Sequence, residues 1–216
     1  MRATITLLAA LIATSGPSSA QVIPRPWEIQ PISVPIFSQV VVFSVPQGWK
    51  PAHESKGAGH YLLEHIPPDQ TVQNWRDMIT VQGFQGLANR PNANPRGLLN
   101  LLASHIKSKC ADHFIGRSVS DGKLDGADVS IALIGCGKLQ QDQPGGLKAG
   151  ESEVALYVAL KGSKDMYVIH KSFRGSPTSG DAFPVEQAQL LLITLQPIKL
   201  CEPTEPRSEC WDRPQR

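Results

Sequence analysis

Apolar positions along the chain fall into two kinds of run. Residues 40–45 (VVVFSV) are continuously apolar, the pattern of a strand buried on both faces. Residues 59–66 (GHYLLEHI) predict a second strand, antiparallel to the first. In residues 153–161 (EVALYVALK) alternation puts Val154, Leu156, Val158 and Leu160 on one face. A turn at 162–165 then leads into residues 166–173, which predicts a hairpin. Residues 114–120 lead to a hairpin turn at Asp121-Gly122, followed by a core strand over 127–136. Helical spacing is clearest over 95–114, where Leu98, Leu99, Leu102, Ile106 and Cys110 make one stripe. Asn94 is suited to cap this helix and Pro95 to its first turn. A last helix opens at Pro184, with Val185, Ala188, Leu191, Leu192 and Leu195 on its buried side.

Residues 67–84 (PPDQTVQNWRDMITVQGF) organise the middle of the chain. The paired prolines end what precedes them. Thr71 and Asn74 sit where a capping pair would, and Val72, Trp75 and Met78 recur at three-residue spacing, predicting a short helix. From Ile79 the residues turn β-branched and the chain becomes a strand. Trp75 is expected to be a packing anchor, as is Trp49 after the Pro46-Gln47-Gly48 turn. Residues 50–59, 83–96, 139–150 and 174–182 read as loops. The 83–96 loop is unusually long and is the first expected binding surface. Strands grouped in hairpins with two helices predict an α+β fold: a mainly antiparallel sheet with a long helix and a C-terminal helix packed on it.

The ends change the picture. Arg2, an apolar run from Ile5 to Ala13 and Ser18-Ser19-Ala20 read as a secretory signal over residues 1–20, cleaved near Ala20-Gln21. The run is shorter than the roughly 20 residues a membrane helix needs. Cleavage removes Arg2 from the 21 basic residues, leaving 20 against 19 acidic ones, a balance that argues against a nucleic-acid footprint, which needs Lys and Arg clustered on one face. Residues 21–39, with prolines at 24, 26, 31 and 35, read as an extended lead-in. Residues 40–200 are expected to form a single domain, and 201–216 a disulfide-closed tail. Four cysteines, Cys110, Cys136, Cys201 and Cys210, favour two disulfides in an exported chain. Three pairings are open. Cys110–Cys136 with Cys201–Cys210 is preferred, because the second pair closes a short proline-bearing loop. The expected location is periplasmic or secreted.

FSVPQGW (residues 43–49), a second strand, IPPDQTVQNWRDMIT (residues 66–80) and the long helix together resemble small exported bacterial proteins of the Mog1/PsbP-like α/β fold. The resemblance covers most of residues 40–200 and implies a small binding or accessory domain without a shared catalytic set. It carries over no functional residues, and the cysteines and the lead-in do not match it.

No local motif supplies chemistry. Ser104-His105-Ile106-Lys107 fits S-x-x-K, but Ser104 lies well inside a helix and the partner motifs are missing. There is no G-x-S-x-G and no H-E-x-x-H. His60 and Glu64 share one strand face and His65 the other, so His60, Glu64 and a distant His170 are the candidate metal ligands, set against the more ordinary reading of solvated polar residues. The expected function is a non-catalytic exported binding or accessory protein, with no cofactor and with another exported or envelope protein as its partner. The alternative is a periplasmic hydrolase whose site is assembled from Ser104 with His60, His105 or His170.

Overall fold

Strand β8 (Ser152–Lys161) shows why the chain folds in layers: Leu156, Val158 and Leu160 are fully buried on one side, and Ala155, Tyr157 and Ala159 are buried on the other. A strand apolar on both faces has to be covered twice. In a computed structural model, describing residues 28–143, 145–180, 185–206 and 210 (without the side chains at 111 and 185–187), β8 lies inside a seven-stranded antiparallel sheet. The order is β3(Lys50–Gly57)–β4(His60–Ile66)–β5(Asp77–Phe84)–β9(Met166–Gly175)–β8–β7(Ala127–Cys136)–β6(Phe114–Leu124).

One face of this sheet is covered over β6, β7 and β8 by helix α1 (Pro95–Cys110). Asn94 caps the helix, its Oδ1 accepting the Gly97 N–H at 2.8 Å. Leu98 and Leu99 are buried, and Leu102, Ala103 and Ile106 pack partly against Ile134, Ala155 and Tyr157. The other face is covered by a three-stranded sheet, β1(Ile29–Ile36)–β2(Gln39–Pro46)–β10(Lys199–Cys201), and by helix α2 (Val185–Leu195). Ile36, Val41, Phe43 and Val45 from the small sheet meet Ile79, Val81, Leu156, Val158, Tyr167 and Ile169 from the large one, with Ala188, Leu191 and Leu195 of α2 closing the core. The α+β architecture, mainly antiparallel with a long and a C-terminal helix packed on it, is as the pattern predicts.

Several local expectations are corrected. Residues 29–36 are strand β1, not an extended arm. Pro31 and Pro35 share one parity, and β1 is an edge strand whose alternate N–H groups need no partner, so both are tolerated. The polar residues 50–57 are strand β3, not a loop: it is the exposed edge of the large sheet and carries a bulge between Pro51 and His53, so no apolar alternation marks it. Strand β4 pairs with β3 and β5 rather than with β2, which belongs to the other sheet.

Residues 71–76 form turns instead of a helix. Asn74 Oδ1 accepts both the Thr71 N–H (2.9 Å) and hydroxyl (2.8 Å), and Gln70 Oε1 accepts the Arg76 N–H at 2.6 Å. These side chains satisfy the local backbone without helical bonds. The hairpin turn after β6 falls at Asp125-Gly126 (φ 48° and 85°), four residues beyond the first Asp-Gly. The 83–96 segment begins inside β5 and contains a short 3-10 turn, Leu87–Asn89. A β-carbon at Gly83 would overlap the Ile36 side chain, so the two sheets meet closely there. Strand β10 was not anticipated. The proposed signal lies outside the described residues, as do residues 21–27 and most of the tail beyond 206.

Candidate functional site

The site is built where α1 ends. Cys110 at the end of the helix is bonded to Cys136 at the end of β7, with Cα atoms 5.4 Å apart and both residues buried. Beyond β7 the chain folds back: Leu139 N–H donates to the Glu151 carbonyl, Gly150 N–H to Leu139, and Gln143 N–H to Leu147, each at 2.8 Å. Leu139 and Leu147 pack on the disulfide. Helix, sheet and loop thereby line a half-open cavity of about 250 Å³, with His105, Ile106 and Lys109 from α1, Ile134, Ala155 and Tyr157 from the sheet, and Leu139, Gln143 and Leu147 from the loop.

Glu153 and Arg174 also line it and are paired across β8 and β9. Arg174 Nε donates to Glu153 Oε2 at 2.9 Å and Nη1 to the Gly145 carbonyl at 2.8 Å, while the guanidinium lies 3.7 Å from the Trp75 ring centre. One side chain thus ties the sheet, the 138–150 loop and the buried tryptophan together. Tyr157 is only 8% exposed and makes no hydrogen bond among the described residues. Among the described residues the fully enclosed unpaired polar groups are His65 Nδ1, Thr80 Oγ1, Asp125 Oδ2 and Gln196 Oε1; the Tyr157 hydroxyl is not one of them, and Tyr157 lines the cavity. Burial, and then the charge of Glu153, holds the phenol well above its ordinary pKa.

A polar row runs behind Tyr157 across β4, β5 and β9. His60 Nε2 meets Gln82 Oε1 at 3.1 Å, Gln82 Nε2 meets His170 Nε2 at 3.3 Å, and His170 Nδ1 meets Ser172 Oγ at 2.9 Å. His170 stacks on Tyr157 with ring centres 4.6 Å apart. Burial lowers the His170 pKa to about 4, so the ring is neutral. The Gln82 amide donates to Nε2, which leaves the single ring proton on Nδ1, pointing at Ser172. A base that would activate Ser172 needs the opposite tautomer. The row orients the Tyr157 ring and is not a nucleophile with its base.

The sequence-predicted residues are scattered. Trp75 is 5% exposed and packs with Ile66 and Met78. Trp49 is partly buried against the main core. Cys201 is paired with Cys210. The Ser104 hydroxyl donates to the Asn100 carbonyl within its own helix at 2.8 Å, and His105 sits on the cavity rim. His60 and Glu64 do share a face with His170, but Gln82 stands between the two histidines. His65 lies on the other face, edge-on to Phe43. Among the described residues, the one set of three His, Cys, Asp or Glu ligand atoms within 4.8 Å is Cys201, Glu205 and Cys210, whose sulfurs are bonded to each other.

The 83–96 loop borders a different, more open groove of about 420 Å³ with Leu98 and Leu101. Sequence reasoning missed Tyr157, Glu153 and Arg174. The available signal was weak: Glu153 and Tyr157 share the face of β8 that carries Ala155 and Ala159.

No family model matches the chain, and no curated protein matches it. Among solved structures it is similar to cyanobacterial PsbP (CyanoP) of Synechocystis, at 9% identity over 83% of this chain and 95% of that one, with a TM-score of 0.47. It is similar to the Ran-binding protein Mog1p of Saccharomyces cerevisiae, at 9% identity over 77% and 93%, TM-score 0.44. It is also similar to LpqN of Mycobacterium tuberculosis, a protein involved in cell envelope biogenesis, at 13% identity over 80% and 91%, TM-score 0.42. The chain spans 44% of the length of a further similar structure, from Bacteroides thetaiotaomicron. The resemblance to the Mog1/PsbP-like fold is a weak one, and it is a likeness of fold alone.

Proposed function

We propose that this chain is a non-catalytic exported binding protein, with a small ligand held in the cavity between α1 and the 138–150 loop. The carrying observation is Tyr157, a residue more than nine-tenths buried in the lining of that cavity, with no hydrogen bond among the described residues. The rigid surroundings support the same reading. A disulfide fixes one wall, and Arg174 ties the sheet to the loop through Glu153 and the Gly145 carbonyl. At about 250 Å³ the cavity is at the small end for ligand sites.

Two disulfides suit an oxidising compartment, in keeping with the signal-like residues 1–20. Among the described residues, no helix is long and apolar enough to cross a membrane. The hydrolase alternative is disfavoured by the Ser104 hydroxyl bond inside its helix and by the tautomer of His170.

The test is a fragment screen read by amide chemical shifts on the isotopically labelled mature protein. Binding fragments should shift amides around 134–143 and 155–157. Fragments that bind only around 87–101, or nowhere, would overturn the assignment of the cavity. Labelling of Ser104 or Ser172 by a fluorophosphonate would overturn the non-catalytic reading.

A further inference from the structure

The cavity beside α1 has a definite size and an uneven supply of polar groups. An apolar cavity of about 150 Å³ takes a benzene ring, so one of about 250 Å³ has room for roughly ten non-hydrogen atoms. Most of its lining is hydrocarbon or sulfur: Ile106, Ile134, Leu139, Leu147, Ala155 and the Cys110–Cys136 bond. Glu153 and Arg174 are spent on each other, and Arg174 also on the Gly145 carbonyl and Trp75. Lys109 makes no hydrogen bond or ion pair among the described residues. It stands at the carbonyl end of α1, whose partial negative charge is about half a unit, so the lining keeps a net positive remainder. Tyr157 brings a hydroxyl with no acceptor among the described residues.

From this set we infer that the ligand is a small amphiphilic carboxylate, with an apolar body of seven or eight carbons, roughly, filling the hydrocarbon lining. Its carboxylate accepts a hydrogen bond from the Tyr157 hydroxyl and faces Lys109. The inference rests on the cavity being the binding site, as proposed above, and adds the chemistry of what enters. A neutral alcohol would meet Tyr157 and leave Lys109 unanswered. An amine would put a second positive charge beside Lys109 with only the already engaged Glu153 to offset it.

The experiment compares octanoate, octanol and octylamine by calorimetric titration of the mature protein at low salt, with amide shifts locating each. Octanoate should bind most tightly of the three. Tyr157→Phe should weaken octanoate about tenfold, the scale of one hydrogen bond to a charged acceptor. Lys109→Gln should weaken it up to about fivefold, with an effect that shrinks as salt is added, and leave octanol unchanged. Lys109 is on the surface, so this variant keeps the test alive if Tyr157→Phe perturbs folding. Octylamine binding as tightly as octanoate, or octanoate indifferent to both substitutions, would overturn the carboxylate inference while leaving the cavity as a site. If none of the three shifts the amides around 134–143 and 155–157, the inference falls together with the cavity assignment.

Discussion

Replacing Asp165 by alanine removes one carboxylate on which three separate segments converge. Asp165 is 2% exposed, in the turn between β8 and β9. Its Oδ2 accepts the Ser38 N–H at 3.0 Å and the Ser38 hydroxyl, and its Oδ1 accepts the Gly86 N–H at 2.6 Å. Tyr167 has one proton to share between Asp165 at 3.4 Å and the Ile36 carbonyl at 3.2 Å, so it counts for less. Hydrogen bonds to a charged group contribute about 1.5–3 kcal/mol each, and an orphaned buried donor costs about 1–3 kcal/mol. Three such bonds would sum to more, but the turn can open to water, so Asp165→Ala should cost about 3–5 kcal/mol.

Asp165→Asn keeps an acceptor for Ser38 and puts an amide against the Gly86 N–H, and should cost about 1–2 kcal/mol. Burial pushes the Asp165 pKa upward, but the bonds from Ser38, Gly86 and Tyr167 together outweigh it and leave the group below its ordinary 3.8. A depressed carboxylate stabilises the fold above its unfolded pKa and loses that contribution as pH falls through the folded value. The gap between wild type and Asp165→Asn should therefore hold from pH 7 to about 4 and close below it. Urea unfolding followed by tryptophan fluorescence measures all three proteins, and hydrogen exchange should speed up at Gly86 and Ala88 in the alanine variant. An alanine variant within about 1 kcal/mol of wild type would refute the reasoning.

Trp75→Ala should destabilise by about 3–5 kcal/mol in the same assay, because the ring is buried against Ile66 and Met78 and supports Arg174; an unchanged midpoint would show it is not core. Replacing both Cys110 and Cys136 by alanine opens a cross-link of sequence separation 26 and should cost about 3–4 kcal/mol on the loop-entropy model. Intact-mass measurement after alkylation without reductant should find no label on any of the four cysteines, and uptake at one would contradict the pairing. His170 is held neutral with a pKa near 4 against an ordinary 6.5, so the unfolded chain takes up its proton first on acidification. Stability should fall between about pH 6.5 and 4 by up to about 3 kcal/mol from this group, and His170→Gln should flatten that slope in urea midpoints measured across the range.

What was legible in the sequence is what a single face of an element encodes. The VVVFSV run, the alternation in residues 153–161 and the leucine stripe of α1 each report burial that one strand or helix imposes on itself, and each is found in place. Strand β3 was illegible because an edge strand buries almost nothing and so carries no periodicity. Strand β1 was obscured by prolines that only an edge can accept. The misplaced helix at 71–76 has a different cause: Thr71 and Asn74 are capping residues, but they bond to each other and close a turn, and Trp75 is buried by tertiary contact with no helix to present it. The two Asp-Gly pairs, four residues apart, offered the same hairpin signal; the pairing of β6 with β7 sets the turn at the second.

The cavity was illegible for a related reason. None of its residues is unusual in its own element: Tyr157 reads as strand, Lys109 as the charged last turn of a helix, Leu139 and Leu147 as incidental apolar residues in a polar loop. They become a site only because a disulfide holds the end of α1 to β7 and the loop after β7 doubles back over the bond. Tyr157 makes no hydrogen bond among the described residues, and His170 stacked on it is committed to Gln82 and Ser172. A strand residue that alternation alone would assign to packing thereby lines a cavity of ligand size. That is the physical ground for looking for the protein's activity there rather than at the serine and histidines that a motif search picks out.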